Sequence, residues 1–414
     1  MNGKRAFELL NKIGFERVSA SEEELKCANI LKDEIESVGG SCNIEEFEVD
    51  AYNIKVAKLE VLEPVYKEYF VTGYGGSGST PVDGLEAEFY YVSSDSNVDI
   101  DNAKGKICLV NPGAIRQYKK FLAAGVLGFI TFNGDLKDSI EDSDIAYPEL
   151  RRQYRTNGII PGVNMLVQDA QDLVLSEPKK VRLTLIQEDY TKMSHNVIAE
   201  IKGSEKPEEV ITLTAHYDSV KYSTGVYDNG AGSVINMEAY KYFLENKPKR
   251  TLKFIWCGSE ERGLLGSKAW VLKHEEELKN IKISVNCDVA GPVLGTDRVI
   301  VTGNDEIVAY CKSLGNEIGF PAEYKKDIYS SDNMPFADKN IPAISITRFG
   351  TYGAAYIHNR HDVIKYLDYK NLEKTGDYLI KLVDKIDKSS HMPFDLSIPA
   401  DIKDKVDRYL FKKE

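Results

Sequence analysis

Ionisable side chains follow apolar, strand-like runs at several places in this chain. Glu260 and Glu261 come after Leu252, Phe254, Ile255, Trp256 and Cys257, which read as a buried strand, and Gly263 and Gly266 flank the opening of a helix just beyond. His216 and Asp218 follow ITLTA, Asp288 follows ISVNC, Asp228 precedes a helix, and His358 sits in the loop after IPAISITRF. A lone Glu-Glu pair is most simply a solvated turn. Carboxylates and imidazoles at four strand ends are a different matter. If they converge, each unpaired buried charge is costly, and cations must offset it.

Two divalent metals would serve. Imidazole with carboxylate suits zinc, with cobalt or manganese as substitutes. A pair of metals roughly 3.5 to 4 Å apart needs one bridging carboxylate and can share a water whose pKa falls towards about 7. A neighbouring carboxylate then takes the proton, so the adjacent glutamates divide the work: one ligates and the other stays free as general base.

The elements that must position these groups alternate. From His195 onward, NVIAEIKG, EEVITLTAHYD, TLKFIWCGS, ISVNCDVAGP, RVIVTGN and IPAISITRF read as strands. Between and after them lie helices at GAGSVINMEAYKYFLENK, at GLLGSKAWVLKHEEELK, from about Glu306 to Ile318 and from about Tyr369 to Ile386. SEEELKCANILKDEIESVGG adds an amphipathic helix with a Gly-Gly stop, leading into a strand near Cys42 to Val49. Such alternation implies an α/β sheet with helices on both faces, which binds ligands beyond the carboxyl ends of its strands. Residues 53–188 differ. Short β-like runs there alternate with clusters such as YGGSGSTPVDG and SSDSNVDIDNAKG, so this stretch reads as a mostly β module.

The 414 residues suggest two compact units, and a 42% hydrophobic content suffices for their cores. A formal net charge of -12 with no segregated basic patch argues against nucleic acid or an anionic membrane as partner. No run approaches the roughly 18 apolar residues of a membrane span, and MNGKRAFELLNKIGFERVSASEEE lacks a signal peptide's apolar run. The expectation is a cytoplasmic protein. The six cysteines, Cys27, Cys42, Cys108, Cys257, Cys287 and Cys311, are scattered and read as reduced thiols.

HYDS (216–219), YDNGAGS (227–233), GSEERGLLGS (258–267), NCDVAGP (286–292), SSDNMPF (330–336) and IHNRHD (357–362) resemble, in order, the motifs of the M28 zinc aminopeptidases. The resemblance covers nearly all of the chain outside residues 53–188 and the last two dozen. It implies a mixed, mostly parallel sheet flanked by helices, the zinc exopeptidase-like (phosphorylase/hydrolase-like) fold, formed by residues 1–52 and 189–390, with 391–414 as a tail. GKICLVNPG and AAGVLGFITFNG within 53–188 resemble an inserted, β-rich protease-associated (PA) domain.

By the same resemblance Asp228 bridges two zinc ions, His216 and Asp288 complete one, Glu261 and His358 complete the other, and Glu260 is the base. Asp218 is expected behind His216 and Asp362 behind His358. His361 is the rival to His358, while His195, His274 and His391 read as structural or surface residues. Ser331, Asp332 and Phe336 are expected in a loop near the pocket, or equally as a turn with a core aromatic. Where some relatives carry a tyrosine just before the last histidine, this chain has Ile357; Tyr329, Tyr352 and Tyr356 are the substitutes, and Tyr356 would share a side with His358 if the segment were extended.

The expected activity is removal of the N-terminal residue from peptides with a free α-amine. The alternatives are a glutaminyl cyclase-like acyltransferase, a carboxypeptidase in which Arg348 grips a substrate carboxylate, and a binding protein that has lost activity.

Overall fold

The computed structural model describes residues 1–94, 96–111, 117–156 and 158–413. Pro112 and Gly113 of GKICLVNPG and Asp95 of SSDSNVDIDNAKG lie outside the described residues. The chain divides into two compact units, Met1–Val49 with Met193–Glu414, and Asp50–Lys192.

In the first unit the strands run, from one edge, in the order Glu323–Lys326, Gly295–Thr302, Ala343–Gly350, Ile281–Cys287, Lys206–His216 and Arg250–Cys257, ending on the last residues of Lys180–Ile201. The four strands from Ala343–Gly350 to Arg250–Cys257 are mutually parallel. Antiparallel neighbours close them on both sides. The inner strands are covered on both faces, and every residue of Arg250–Cys257 is buried.

Alternation along those strands splits the core. Leu213, Phe254, Trp256, Val285 and Ile346 join the buried faces of helices Gly3–Ile13, Glu22–Ser37, Ala231–Glu245, Asp305–Ile318 and Tyr369–Lys388. Ile255 and Cys257 point the other way, into a cluster with Trp270 and Val271 of helix Leu265–Lys273 and Phe336 of helix Met334–Asp338. Local chemistry sets the helix ends. Asn304 Oδ1 accepts the backbone N–H groups of Glu306 and Ile307 at the start of Asp305–Ile318, and Gly319 closes that helix in the left-handed conformation (φ 72°).

The last two dozen residues are not a loose tail. They form the helix Ala400–Tyr409, in which Ile402 and Val406 are buried, and Val406 packs with Leu264, Met334 and Ala337.

The second unit is rich in strands, with short helices among them. Leu85–Val92, Ile107–Val110, Gly128–Asn133 and Gly162–Leu166 are successive parallel strands. Helices Asn97–Asn102, Tyr118–Ala124 and Val167–Leu175 fall between or after them. These helices have six, seven and nine residues. Leu109 and Ile130 belong to one core, Cys108, Val110 and Phe129 to another. Among the described residues of both units, no helix is long and apolar enough to cross a membrane.

Candidate metal centre

Parallel strands end at the same edge of a sheet, so whatever follows them is gathered there. His216 is the last residue of its strand and pairs in register with Cys257, three residues before Glu260. Asp288 follows Cys287, which pairs with Ile346 of the strand leading to His358. Asp228 comes from a tight turn, Val226–Gly230, just before helix Ala231–Glu245, and the Asp228–Asn229 peptide is cis.

The ligating atoms converge in two groups that share Asp228: His216, Asp228 and Asp288, and Asp228, Glu261 and His358, the atoms of each lying within 4.8 Å of one another. His216 Nε2 is 3.2 Å from Asp228 Oδ1 and 3.5 Å from Asp288 Oδ1. His358 Nε2 is 3.1 Å from Asp228 Oδ2 and 3.0 Å from Glu261 Oε2. Glu260 Oε2 stands 4.0 Å from His216 Nε2, outside both groups yet beside the first.

Hydrogen bonds fix the supporting loops. Asp218 lies 3.4 Å from His216 Nδ1, and its two oxygens accept the backbone N–H groups of Glu260 (3.0 Å) and Glu261 (3.3 Å). One carboxylate thus orients an imidazole and the turn that carries both glutamates. Asn229 Oδ1 accepts from Val289 N (3.1 Å) and Gly232 N (2.9 Å), while its Nδ2 donates to Cys287 O (2.9 Å), coupling the Asp228 turn to the Asp288 loop. Any Cβ at Gly232 would collide with Cys287 O, so only glycine permits this approach.

The electrostatics suit a cation. His358 is half exposed; Glu261 and Asp228 push its pKa up to about 11 against partial desolvation. His216 is likewise raised despite burial, by Glu260, Asp218, Asp228 and Asp288. Burial, with Glu261, Asp332 and Asp288 adding like charge, pushes Glu260 well above the carboxylate range, and burial with Asp228 raises Glu261. Asp228 is held low by the two imidazoles against the cost of its own burial. Asp288 Oδ1 and Glu261 Oε1 are buried without a hydrogen-bond donor. Orphaned acceptors amid excess negative charge, with one imidazole and two carboxylates in each group, fit a pair of divalent ions of the zinc type.

Other expected residues take different places. Asp362 does not stand behind His358; its carboxylate accepts from the backbone N–H groups of Tyr227 (2.8 Å) and Asp228 (3.1 Å) and so holds the Asp228 turn. Arg348 does not reach for a substrate. It is buried, donating to Pro292 O and Val293 O and pairing at 2.9 Å with Asp297, its partner across the antiparallel strand pair. Tyr356 does not share an extended segment with His358, whose φ of 60° breaks any such run; its ring lies against His361 and Tyr366. Ser331 and Asp332 are both fully buried, Ser331 accepting from Asn286 Nδ2 at 3.0 Å, and Phe336 stacks on Trp270. His195 faces Glu24 and Glu46, and His274 bridges Glu45 and Glu277 while stacked on Trp270.

Arg17 was not singled out in sequence. Its buried guanidinium donates to the carbonyls of Ile13, Phe15, Tyr217, Thr224 and Gly225, tying the N-terminal helix to the His216–Asp228 loop. A lone arginine after an apolar helix carries no signal of such a role.

Comparison with known proteins adds a family. The profile described as "Peptidase family M28" matches residues 196–383. "Carboxypeptidase Q" of Xenopus laevis is 31% identical over 248 residues, 55% of this chain and 52% of the relative, so the match spans about half of that protein's length. "Aminopeptidase YwaD" of Bacillus subtilis (strain 168) is 26% identical over 397 residues, covering 91% of this chain and 82% of the relative. The structure titled "The structure of BSAP, a zinc aminopeptidase from Bacillus subtilis" has a similar fold, with a TM-score of 0.78 at 24% identity over 97% of this chain and 99% of that one.

Proposed function

We propose, from the match of residues 196–383 to the peptidase family M28 profile, that the chain is a metal-dependent aminopeptidase that hydrolyses the N-terminal residue of peptides at a centre of two zinc ions. The observation that carries this reading is the pair of ligand groups sharing Asp228, with Glu260 left over beside them. His216, Asp228 and Asp288 would hold one ion, and Asp228, Glu261 and His358 the other. When bound, such ions polarise a scissile carbonyl and lower the pKa of a water towards about 7.

The chain's own residues do the rest. Glu260 accepts the proton of the attacking water and returns it to the leaving amine, a role supported by its place beside the first ligand group and outside both. Asp218 positions it through the backbone and orients His216, and is a positioning residue rather than a reacting group. Of the candidate tyrosines, Tyr329 is the one whose hydroxyl feels the charges of Asp288, Asp228 and Glu260, which with burial raise its pKa well above the usual value. Tyr352 is 90% exposed by contrast. The surplus of carboxylates attracts a free α-ammonium, which makes a free N-terminus the natural substrate handle.

Residues 53–188 we read as a protease-associated insertion, supported by the separate cores of Asp50–Lys192. The reading includes a reducing, cytoplasmic setting, which six free cysteines, five of them buried, support.

Relatives named carboxypeptidase favour a second reading, although Arg348, spent on Asp297 and two carbonyls, does not supply its carboxylate grip. Three peptides decide between them: one free at both ends, one N-acetylated and one C-amidated. The aminopeptidase cleaves the first and third and refuses the second. Cleavage of the N-acetylated peptide with refusal of the C-amidated one would establish the carboxypeptidase.

A further inference from the structure

We infer that Glu24, on helix Glu22–Ser37, is a positioning residue for Glu260, acting through the hydroxyls of Ser194 and Ser259; the inference rests on the reading of Glu260 as the base. Glu24 is wholly buried, whereas its neighbours Glu22 and Glu23 are exposed. Its Oε1 accepts from Ser194 Oγ at 2.7 Å and lies 3.3 Å from Ser259 Oγ, and its Oε2 accepts from Ala20 N at 3.0 Å. The Ser194 and Ser259 hydroxyls are themselves 2.7 Å apart, and Ser259 Oγ also bonds Ser19 Oγ.

Ser259 immediately precedes Glu260 and is fully buried in the left-handed region (φ 55°), a conformation that a residue with a side chain adopts only when its surroundings impose it. The network supplies that imposition. It works together with Asn196, whose Oδ1 accepts from Gly258 N (3.1 Å) and whose Nδ2 donates to Gly266 O (2.9 Å), clamping both ends of the 258–266 loop. A Cβ at Gly258 would lie 2.8 Å from Glu24 Oε1 and 2.4 Å from His195 O, so the close approach of carboxylate to loop requires glycine there. An N-terminal helix glutamate that only capped its own helix would need the Ala20 contact alone. The two serines extend its reach to the residue before the base.

The test uses the metal-loaded full chain and the variants Glu24→Gln and Ser259→Ala, with the exposed Glu23→Gln as control. The measurements are kcat and KM for leucine nitroanilide, metal per chain and Tm. A base displaced by a fraction of an ångström loses rate without losing substrate or metal. We therefore expect kcat to fall about 10- to 100-fold in both variants, with KM within about twofold, metal content unchanged and the double variant no slower than the slower single one. The inference is overturned by a kcat equal to that of Glu23→Gln, or by a loss of rate that follows loss of metal. Should Glu24→Gln not fold, Ser259→Ala alone decides. The two readings fail separately: a full-rate Glu260→Gln protein overturns the function whatever Glu24 does, whereas an inactive Glu260→Gln beside a full-rate Ser259→Ala overturns only the positioning role.

Discussion

Both units set parallel strands between helices, yet one buried carboxylate cluster in each is satisfied in a different way. In Asp50–Lys192 the buried Asp99 is saturated, accepting from Tyr90 Oη (2.5 Å), Ser94 N (2.7 Å) and Ser93 Oγ (3.2 Å). Thr131 donates to Asn164 there, and Asn164 donates in turn to Asn133, so that network is closed as well. At the strand ends of the other unit, carboxylate oxygens of Asp288 and Glu261 lack donors, and imidazoles are drawn into the protonated state by acids around them. The difference teaches how to tell architecture from a site. A donor for every acceptor stabilises a fold, whereas acceptors facing one another without donors are stable only with a cation between them.

The most severe way to break this contrast is Asp228→Asn, which weakens both ligand groups at once. It should leave less than one metal per chain, measured by atomic absorption, and reduce hydrolysis to background. Glu260→Gln should be next, lowering kcat by about 10²- to 10⁴-fold while two metals remain bound; a coincident loss of metal would make Glu260 a ligand instead. Asp218→Asn should cost about 10- to 100-fold in activity or metal affinity, because its oxygens hold the glutamate turn and His216 together.

Asp99→Ala should do the reverse of these. It would destabilise its unit by about 1 to 3 kcal/mol, seen in denaturant unfolding, and leave kcat and metal content alone. The smallest effect sharpens the comparison through pH. With metals chelated, His358 keeps a folded pKa raised from 6.5 to about 11, so its contribution to stability is complete below about 6.5 and is lost as pH rises towards about 11. The metal-loaded protein should run the other way, losing metal and Tm as protons compete for its ligands at falling pH. Parallel Tm-against-pH curves for the two forms would contradict the assignment.

Much of the catalytic unit was legible because its strands are apolar enough to mark their own ends, and parallel strands bring those ends together. His216, Asp228, Glu261, Asp288 and His358 needed only that rule and the family motifs to be placed near one another. Residues that act through the backbone were not legible. Arg17 works through five carbonyls, and Asp362 through two amides of the Asp228 turn, contacts that no side-chain pattern encodes. Arg348 is not decided by sequence alone, because a strand-end arginine looks the same whether it meets a substrate or Asp297. The helix Gly3–Ile13 is legible in its period, with Ala6, Leu9, Leu10 and Ile13 on the buried face, although the same segment also invites comparison with a signal sequence. In the second unit, the parallel order of strands comes from long-range pairing that short helices conceal.

The most direct test of the central claim is metal content of the purified chain, measured together with leucine-nitroanilide hydrolysis before chelation, after it and after zinc is returned. The two shared-ligand groups predict about two metals per chain at saturation, with activity lost and restored in step. A chain that takes up no metal after zinc is returned, or that hydrolyses at full rate without it, would contradict the account.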